Sequence, residues 1–205
     1  MDTRPTDLRT AIQLSVVSVA WGGLAGVAAL VLAYDTGSLS LLGFGVDAII
    51  DSFASITLIW RFSIEGRAPG RADRVEHAAE RIVGGVLIAA ALSLALGAVR
   101  ALVAHVEVAT TIGAIVLLCA SVVVLPPLAI AKRRVASRLG SGALRADSLL
   151  TAAAGVLAAV GLTSLLLASL AHVWWADAIG ALVIAALLAR EGMASVRPAR
   201  GRSAT

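Results

Sequence analysis

Long apolar stretches, separated by short polar connections, dominate this chain. A helix needs about 20 mostly apolar residues to cross the hydrocarbon core of a bilayer, which is about 30 Å thick. Six stretches predict such helices, at 11–34, 39–60, 82–103, 110–131, 146–170 and 174–192. The alternation of apolar and polar residues that is typical of a lipid-facing β-barrel is absent. The pattern therefore favours an all-α membrane protein with six transmembrane helices.

The segments between the predicted spans are short. A polar loop is expected at 66–77, and a basic tail follows Pro198. Neither is long enough for a soluble domain, so residues 1–205 are expected to form a single transmembrane domain. The composition supports this prediction, because a chain that is 59% hydrophobic, with a mean hydropathy of +0.93, is too apolar for a soluble protein of this size.

Arginine and lysine are distributed unevenly around the spans, and this distribution predicts the orientation. Sixteen of the seventeen lie in or beside the two tails, the second connection and the fourth connection, and Arg100 alone falls on the opposite side. Loops rich in Lys and Arg stay in the cytoplasm. Both termini are therefore expected to be cytoplasmic, in the cell (inner) membrane. The basic tail is expected to lie near lipid headgroups, not on nucleic acid.

Two carboxylates lie inside the second predicted span. Asp47 and Asp51 are four residues apart, which places them on one face of a helix near the middle of the bilayer. A single charge at that depth costs roughly 2.5–3.5 kcal/mol, and two like charges cost more. A cation site explains the pair, because one helix then offers two oxygen ligands. A protonated pair that is hydrogen-bonded inside the bundle is the alternative.

A third acid begins the fifth span. Asp147 is a metal ligand if it supplies the second helix of a cation cage. The alternative is a first-turn acid that complements the helix N-terminus or pairs with Arg145. Thr151, one turn deeper on the same face, either adds a hydroxyl ligand or simply packs against a neighbouring helix. The sequence leaves both alternatives open for both residues.

Three weaker candidates lie near the ends of the spans. Asp177, at the outer start of the sixth span, suits an N-cap, and an acid of an outer vestibule is the alternative. His77, in the polar loop, is either a ligand at the cytoplasmic entry or an ordinary surface residue. Glu191, beside Arg190, is expected to be in solvent.

Motifs of enzymes are absent from the sequence. No nucleophile elbow, P-loop, GxGxxG or HExxH motif occurs, and no histidine is expected at membrane depth to activate a serine. The chain is therefore expected not to be an enzyme and to hold no tightly bound cofactor. Cys119 is the only cysteine, so an internal disulfide is impossible.

Three motifs together resemble the cation diffusion facilitator (cation efflux) family. They are GFGVDAIID, which contains Asp47 and Asp51, LRAD, which ends at Asp147, and WADAIGALVIA, which contains Asp177. The resemblance covers most of the chain and implies a bundle of six spans with both termini inside. It also implies that divalent metal cations are exported in exchange for protons, and that two copies form a homodimer.

The chain departs from this family at the positions that usually complete the metal site. In the family, a histidine and an aspartate follow LRAD, and by that register the positions here are Leu150 and Ala154, which cannot bind a metal. The cytoplasmic C-terminal domain of longer members also has no counterpart, so a compact form is expected. The remaining ligands are all oxygens, which accept Mn²⁺ or Mg²⁺, whereas tetrahedral zinc prefers nitrogen and sulfur. Zinc stays first only because the resemblance favours it.

Three hypotheses about function follow from the sequence. The first is a carrier that exports a divalent cation by proton antiport through Asp47 and Asp51. The second is a membrane protein of the same fold that does not transport but binds metal or a partner, and Leu150 and Ala154 are its best support. The third is a proton-coupled carrier of a small organic cation, in which the acids serve as counter-charges.

Overall fold

The structure is a computed structural model, and it describes residues 4–64, 69–106, 109–171 and 173–196. Within these ranges the chain forms six α-helices and no strand, so the prediction of an all-α bundle is confirmed. The helices are α1 (Arg4–Thr36), α2 (Leu39–Ile64), α3 (Pro69–Ala104), α4 (Ile112–Leu139), α5 (Gly142–Leu170) and α6 (Ala176–Val196).

Five helices contain stretches that are long and apolar enough to cross a membrane, judged by length and composition over the described residues. These stretches lie in α1 to α5, at Thr6–Thr36, Leu39–Thr57, Leu87–Ala104, Ile112–Leu139 and Asp147–Leu170. The sixth helix, α6, is also predominantly apolar but carries Asp177, Arg190 and Glu191. Large apolar side chains such as Leu24, Val123 and Leu170 are exposed on the outside of the bundle, as expected where helices face lipid.

The third helix begins earlier than its apolar stretch. The loop predicted at 66–77 is helical from Pro69 onward. Proline suits the first position of a helix, because its fixed φ matches the helix and its missing N–H is not needed there. The apolar pattern predicted only the part of α3 that crosses the membrane. It did not predict that the polar residues before this part are also helical.

Short connections with clear capping residues make neighbouring helices antiparallel. Gly140 adopts a left-handed conformation with φ of 64° and ends α4, and its N–H donates to the carbonyl of Ala136. Ser141 then caps α5, because its side chain accepts a hydrogen bond from the N–H of Leu144 at 3.3 Å. Only two residues separate these helices, so α4 and α5 pack side by side.

Helix α2 is the centre of the bundle. It contacts α1, α3, α5 and α6, while α1 also contacts α4, and α3 pairs with α6. The core between these helices contains Phe44 of α2, Leu118 of α4, Leu157 of α5 and Ile184 of α6, all at most 1% exposed. Any polar residue on the inward face of α2 is therefore enclosed by other helices.

A close approach of α1 to α2 depends on Gly22. A Cβ added there would lie 2.6 Å from the hydroxyl of Ser52 and 3.1 Å from the carbonyl oxygen of Ala48. Small residues that let two helix backbones approach in this way are common in membrane bundles. The contact brings α1 directly against the turn of α2 that carries Asp51.

Candidate cation site

The two acids predicted on α2 lie inside the bundle. Asp47 is 5% exposed and Asp51 is 8% exposed, and one helical turn separates them. One carboxylate oxygen of Asp51, Oδ1, is buried and has no hydrogen-bond partner in the described part of the chain. Buried polar groups normally have such a partner, and leaving a charged one without it is costly. An ion or a proton on this carboxylate would remove that cost.

A small cavity lies beside Asp51, where four helices meet. Its volume is about 10 Å³, which is close to the minimum that holds one water molecule. Ser18 and Trp21 of α1, Leu125 of α4 and Ala154 of α5 are among the residues that line it, together with Asp51. The size suits a water or a dehydrated metal ion, not a larger organic molecule.

Helix α1 presents further unpartnered polar atoms on the same side. The hydroxyls of Ser15 and Ser18 and the indole N–H of Trp21 are buried, and they have no hydrogen-bond partner among the described residues. Their spacing of three residues places them along one face of α1. A hydroxyl oxygen can bind a cation, whereas an indole N–H only donates and therefore suits a carboxylate or a water. The sequence shows that Ser15 and Ser18 make the first span mildly polar. It does not show which helix these side chains face.

The third acid, Asp147, is held by a lysine. The ammonium of Lys132 on α4 lies 2.6 Å from Oδ2 of Asp147, and the two side chains are 0% and 2% exposed. Ser55 of α2 donates to the other oxygen, Oδ1, at 2.9 Å. Sequence reasoning offered Arg145 or a metal ion as the partner of Asp147. In the structure the partner is the lysine, which comes from a different helix.

The same lysine binds the threonine that was predicted beside Asp147. The Nζ atom of Lys132 donates to Oγ1 of Thr151 at 2.9 Å, and that hydroxyl donates to the backbone carbonyl of Asp147 at 3.0 Å. Thr151 is fully buried. Its hydroxyl therefore binds the lysine and its own helix in this structure.

Lys132 is the charged residue of this site that sequence reasoning missed. It was counted with the arginines of the cytoplasmic connection, because Arg133 and Arg134 follow it directly. A signal was nevertheless present. Lys132 continues the buried face of α4 that contains Leu125 and Leu128, at helical spacing. It is also the only lysine in a chain that otherwise uses arginine.

The carboxylate of Asp177 on α6 contacts the N-terminus of α2, so it stabilises a different helix from its own. Its carboxylate accepts hydrogen bonds from the hydroxyl of Ser38 at 2.6 Å, from the N–H of Leu39 at 2.8 Å and from the hydroxyl of Ser40. These groups form the N-terminus of α2, which begins at Leu39. A carboxylate is favourable there because it binds free N–H groups and complements the helix dipole. The expectation that Asp177 is the N-cap of its own span was wrong, because α6 begins at Ala176 and the carboxylate of Asp177 caps α2 instead.

Two further expectations concern residues at the edges of the site. The side chain of His77 lies outside the described residues, as do all side chains at 69–83. Glu191 was expected in solvent, but it is partly buried and acts electrostatically on both Asp47 and Asp51. The expectation for Glu191 was wrong because α6 packs its last turns along the bundle and does not leave it.

Ala154, one of the two positions that the register of the motif indicated, lies at the cavity beside Asp51. It is 2% exposed and lines the same cavity as Asp51, while Leu150, one turn earlier on α5, is partly buried. The second helix thus offers a methyl group to the cavity. Among the described residues, no group of three or more His, Cys, Asp or Glu side chains is close enough to hold a metal ion.

Comparison with models of protein families gives a match. A family model described as the cation efflux transmembrane domain matches residues 15–200, which is most of the chain and includes every residue of the site described above. A comparison with curated proteins finds no match.

Proposed function

The chain belongs to the cation efflux family, whose members are membrane transporters, and from that premise we propose that it exports a divalent metal cation in exchange for protons. The ion binds at Asp47 and Asp51 of α2. We place the protein in the cell membrane with both termini in the cytoplasm, on the basis of its arginine distribution. The homodimer that the family resemblance implies is part of the same proposal.

The unpartnered oxygen of Asp51 is the observation that carries this proposal. An ionised carboxylate in an apolar, closed environment needs a positive charge or a proton beside it. A metal ion and a proton satisfy the same oxygen in turn, so binding of one releases the other. This competition at one carboxylate is what an antiporter requires. Asp47, one turn away and also buried, supplies the second carboxylate.

The chemistry of the ligands bears on which metal is carried. Asp51 offers a carboxylate and Ser18 a hydroxyl at the cavity, and Asp47, one turn away, offers a second carboxylate. Such a set suits harder ions such as Mn²⁺, while the family resemblance favours Zn²⁺. Both ions therefore belong in any assay of this protein.

A protein of the same fold that binds metal or a partner but does not transport is the second candidate. The methyl group of Ala154 at the cavity and the occupation of Asp147 by Lys132 favour it, because both reduce the number of ligands for the ion. Equilibrium binding of Zn²⁺ or Mn²⁺ without flux would support this candidate.

Transport in proteoliposomes tests the proposal. The full chain is reconstituted with a pH-sensitive dye inside, and Zn²⁺ or Mn²⁺ is added outside. We expect a metal-dependent pH change that is lost in Asp51→Ala. Asp35→Ala is the matched control, because Asp35 is exposed at the end of α1 and should not affect flux. Equal flux in wild type and Asp51→Ala would show that the proposed mechanism is wrong.

A further inference from the structure

A buried ammonium group lies in the part of the bundle where a cation would bind. Lys132 is fully buried, and its three N–H donors have two acceptors described above, Asp147 at 2.6 Å and Thr151 at 2.9 Å. A lysine in an apolar bundle is costly unless it is paired, so its position is strongly determined by these contacts. A lysine that sets the topology would extend to the membrane surface, whereas the side chain of Lys132 is buried.

The ion pair is adjacent to the acids of α2. Ser55, which donates to Asp147, lies one turn after Asp51 on the same helix. Lys132 and Asp147 both act electrostatically on Asp51. The ion pair of Lys132 and Asp147 therefore lies beside the turn of α2 that carries Asp51, and Lys132 brings a positive charge to that side of the cavity.

We propose that Lys132 is a specificity-determining residue of the transporter: it acts as a tethered cation that occupies Asp147 and keeps this carboxylate out of the ligand set of the metal. The inference rests on the proposed function, since it concerns the same site. With the lysine in place, Asp47, Asp51 and Asp147 together with the ammonium leave two negative charges, which one divalent ion neutralises. Glu191 of α6, which also acts on Asp47 and Asp51, adds to this charge only when it is ionised. Without the lysine, a third carboxylate would become available beside Asp51.

This assignment differs from the interpretation in which Asp147 is a ligand. If Asp147 binds the metal, removing it weakens binding whether or not Lys132 is present. If Lys132 is a tethered cation, removing Asp147 alone leaves an unpaired ammonium next to Asp51, and that ammonium competes with the metal. Removing both partners then restores binding, because the competitor is gone too. The two interpretations therefore predict opposite results for the double variant.

Equilibrium binding of Mn²⁺ and Zn²⁺ to the purified full chain in detergent decides between them. The variants are Lys132→Met, Asp147→Asn and the two combined, with Asp51→Asn as the control that loses binding. We expect Lys132→Met to bind at least about tenfold more tightly than wild type, because a further carboxylate raises the negative charge of the ligand set. Asp147→Asn should bind more weakly, and the double variant should bind more tightly than Asp147→Asn. Elution as a single species and a melting transition establish that each variant is folded.

Several outcomes would overturn the inference. A double variant as weak as Asp147→Asn would make Asp147 a ligand, and a folded Lys132→Met with unchanged or weaker binding would show that the lysine does not compete. If Lys132→Met does not fold, Lys132→Gln replaces it, because its amide can still donate to Asp147 without a charge. Failure of the proposed function gives a different result, in which Asp51→Asn binds metal as wild type does.

Discussion

Lys132 and Asp147 form a buried ion pair, so substitutions at the two positions should be strongly coupled in their effect on stability. The perturbation is a double-mutant cycle with Lys132→Met, Asp147→Asn and both substitutions together. Lys132 is 0% exposed and Asp147 is 2% exposed, so neither charge can reach solvent when its partner is removed. Each single substitution therefore leaves an uncompensated charge inside the bundle.

The magnitude follows from that burial. Breaking a buried pair by removing one partner costs about 3–5 kcal/mol, whereas replacing both partners with neutral groups is often nearly neutral. We therefore expect each single variant to lose about 3–5 kcal/mol and the double variant to lose roughly 1 kcal/mol or less. The coupling energy between the two positions should then be at least about 5 kcal/mol.

Denaturant unfolding of the full chain in detergent at neutral pH measures these differences. The chain offers a matched control in a second ion pair, between Arg138 and Asp7, whose atoms are 3.6 Å apart and whose arginine is 67% exposed. Arg138→Ala should change the stability by less than about 1 kcal/mol, because exposed pairs contribute little. Additive losses in the cycle, or single variants as stable as Arg138→Ala, would refute the argument from burial.

Three further substitutions test other parts of the structure. Gly22→Ala should destabilise the protein by about 1–3 kcal/mol, because the added Cβ would meet α2. Gly23→Ala, where the added Cβ has open space, should not destabilise it, and equal melting temperatures of the two variants would contradict this argument. Asp177→Ala should lower the stability by about 1–3 kcal/mol in the same assay, because the N-terminus of α2 loses its acceptor, and an unchanged midpoint would exclude that role. Ala154→Asp should tighten Mn²⁺ binding about tenfold or more, since it adds a carboxylate at the cavity that Asp51 lines. Weaker binding would place Ala154 away from the ion.

The helices could be predicted from the sequence, because apolar length in a bilayer is a strong local signal. The same holds for Asp47 and Asp51, since two acids within one apolar span are conspicuous wherever the helix packs. Their burial and the position of Ala154 at the cavity agree with what the motifs indicated. What the pattern could not give was the extent of α3, because the turns after Pro69 are polar and resemble a loop.

The partners of the charged residues could not be predicted, because they lie on distant parts of the chain. Asp177 binds the start of α2, more than 130 residues earlier, and local capping rules only consider its own helix. Asp147 had a plausible partner in Arg145, two residues away, yet the structure pairs it with Lys132. Which of two basic residues pairs with an acid depends on which one faces the core, and that is decided by how α4 and α5 pack.

Counting metal ions and protons together in proteoliposomes tests the central claim most directly. Uptake of Zn²⁺ or Mn²⁺ and the accompanying pH change are recorded for wild type, Asp47→Asn and Asp51→Asn at equal reconstituted amounts. The account predicts coupled movement of metal and protons in wild type and the loss of both in Asp51→Asn. Coupled movement that persists unchanged in Asp51→Asn would contradict it.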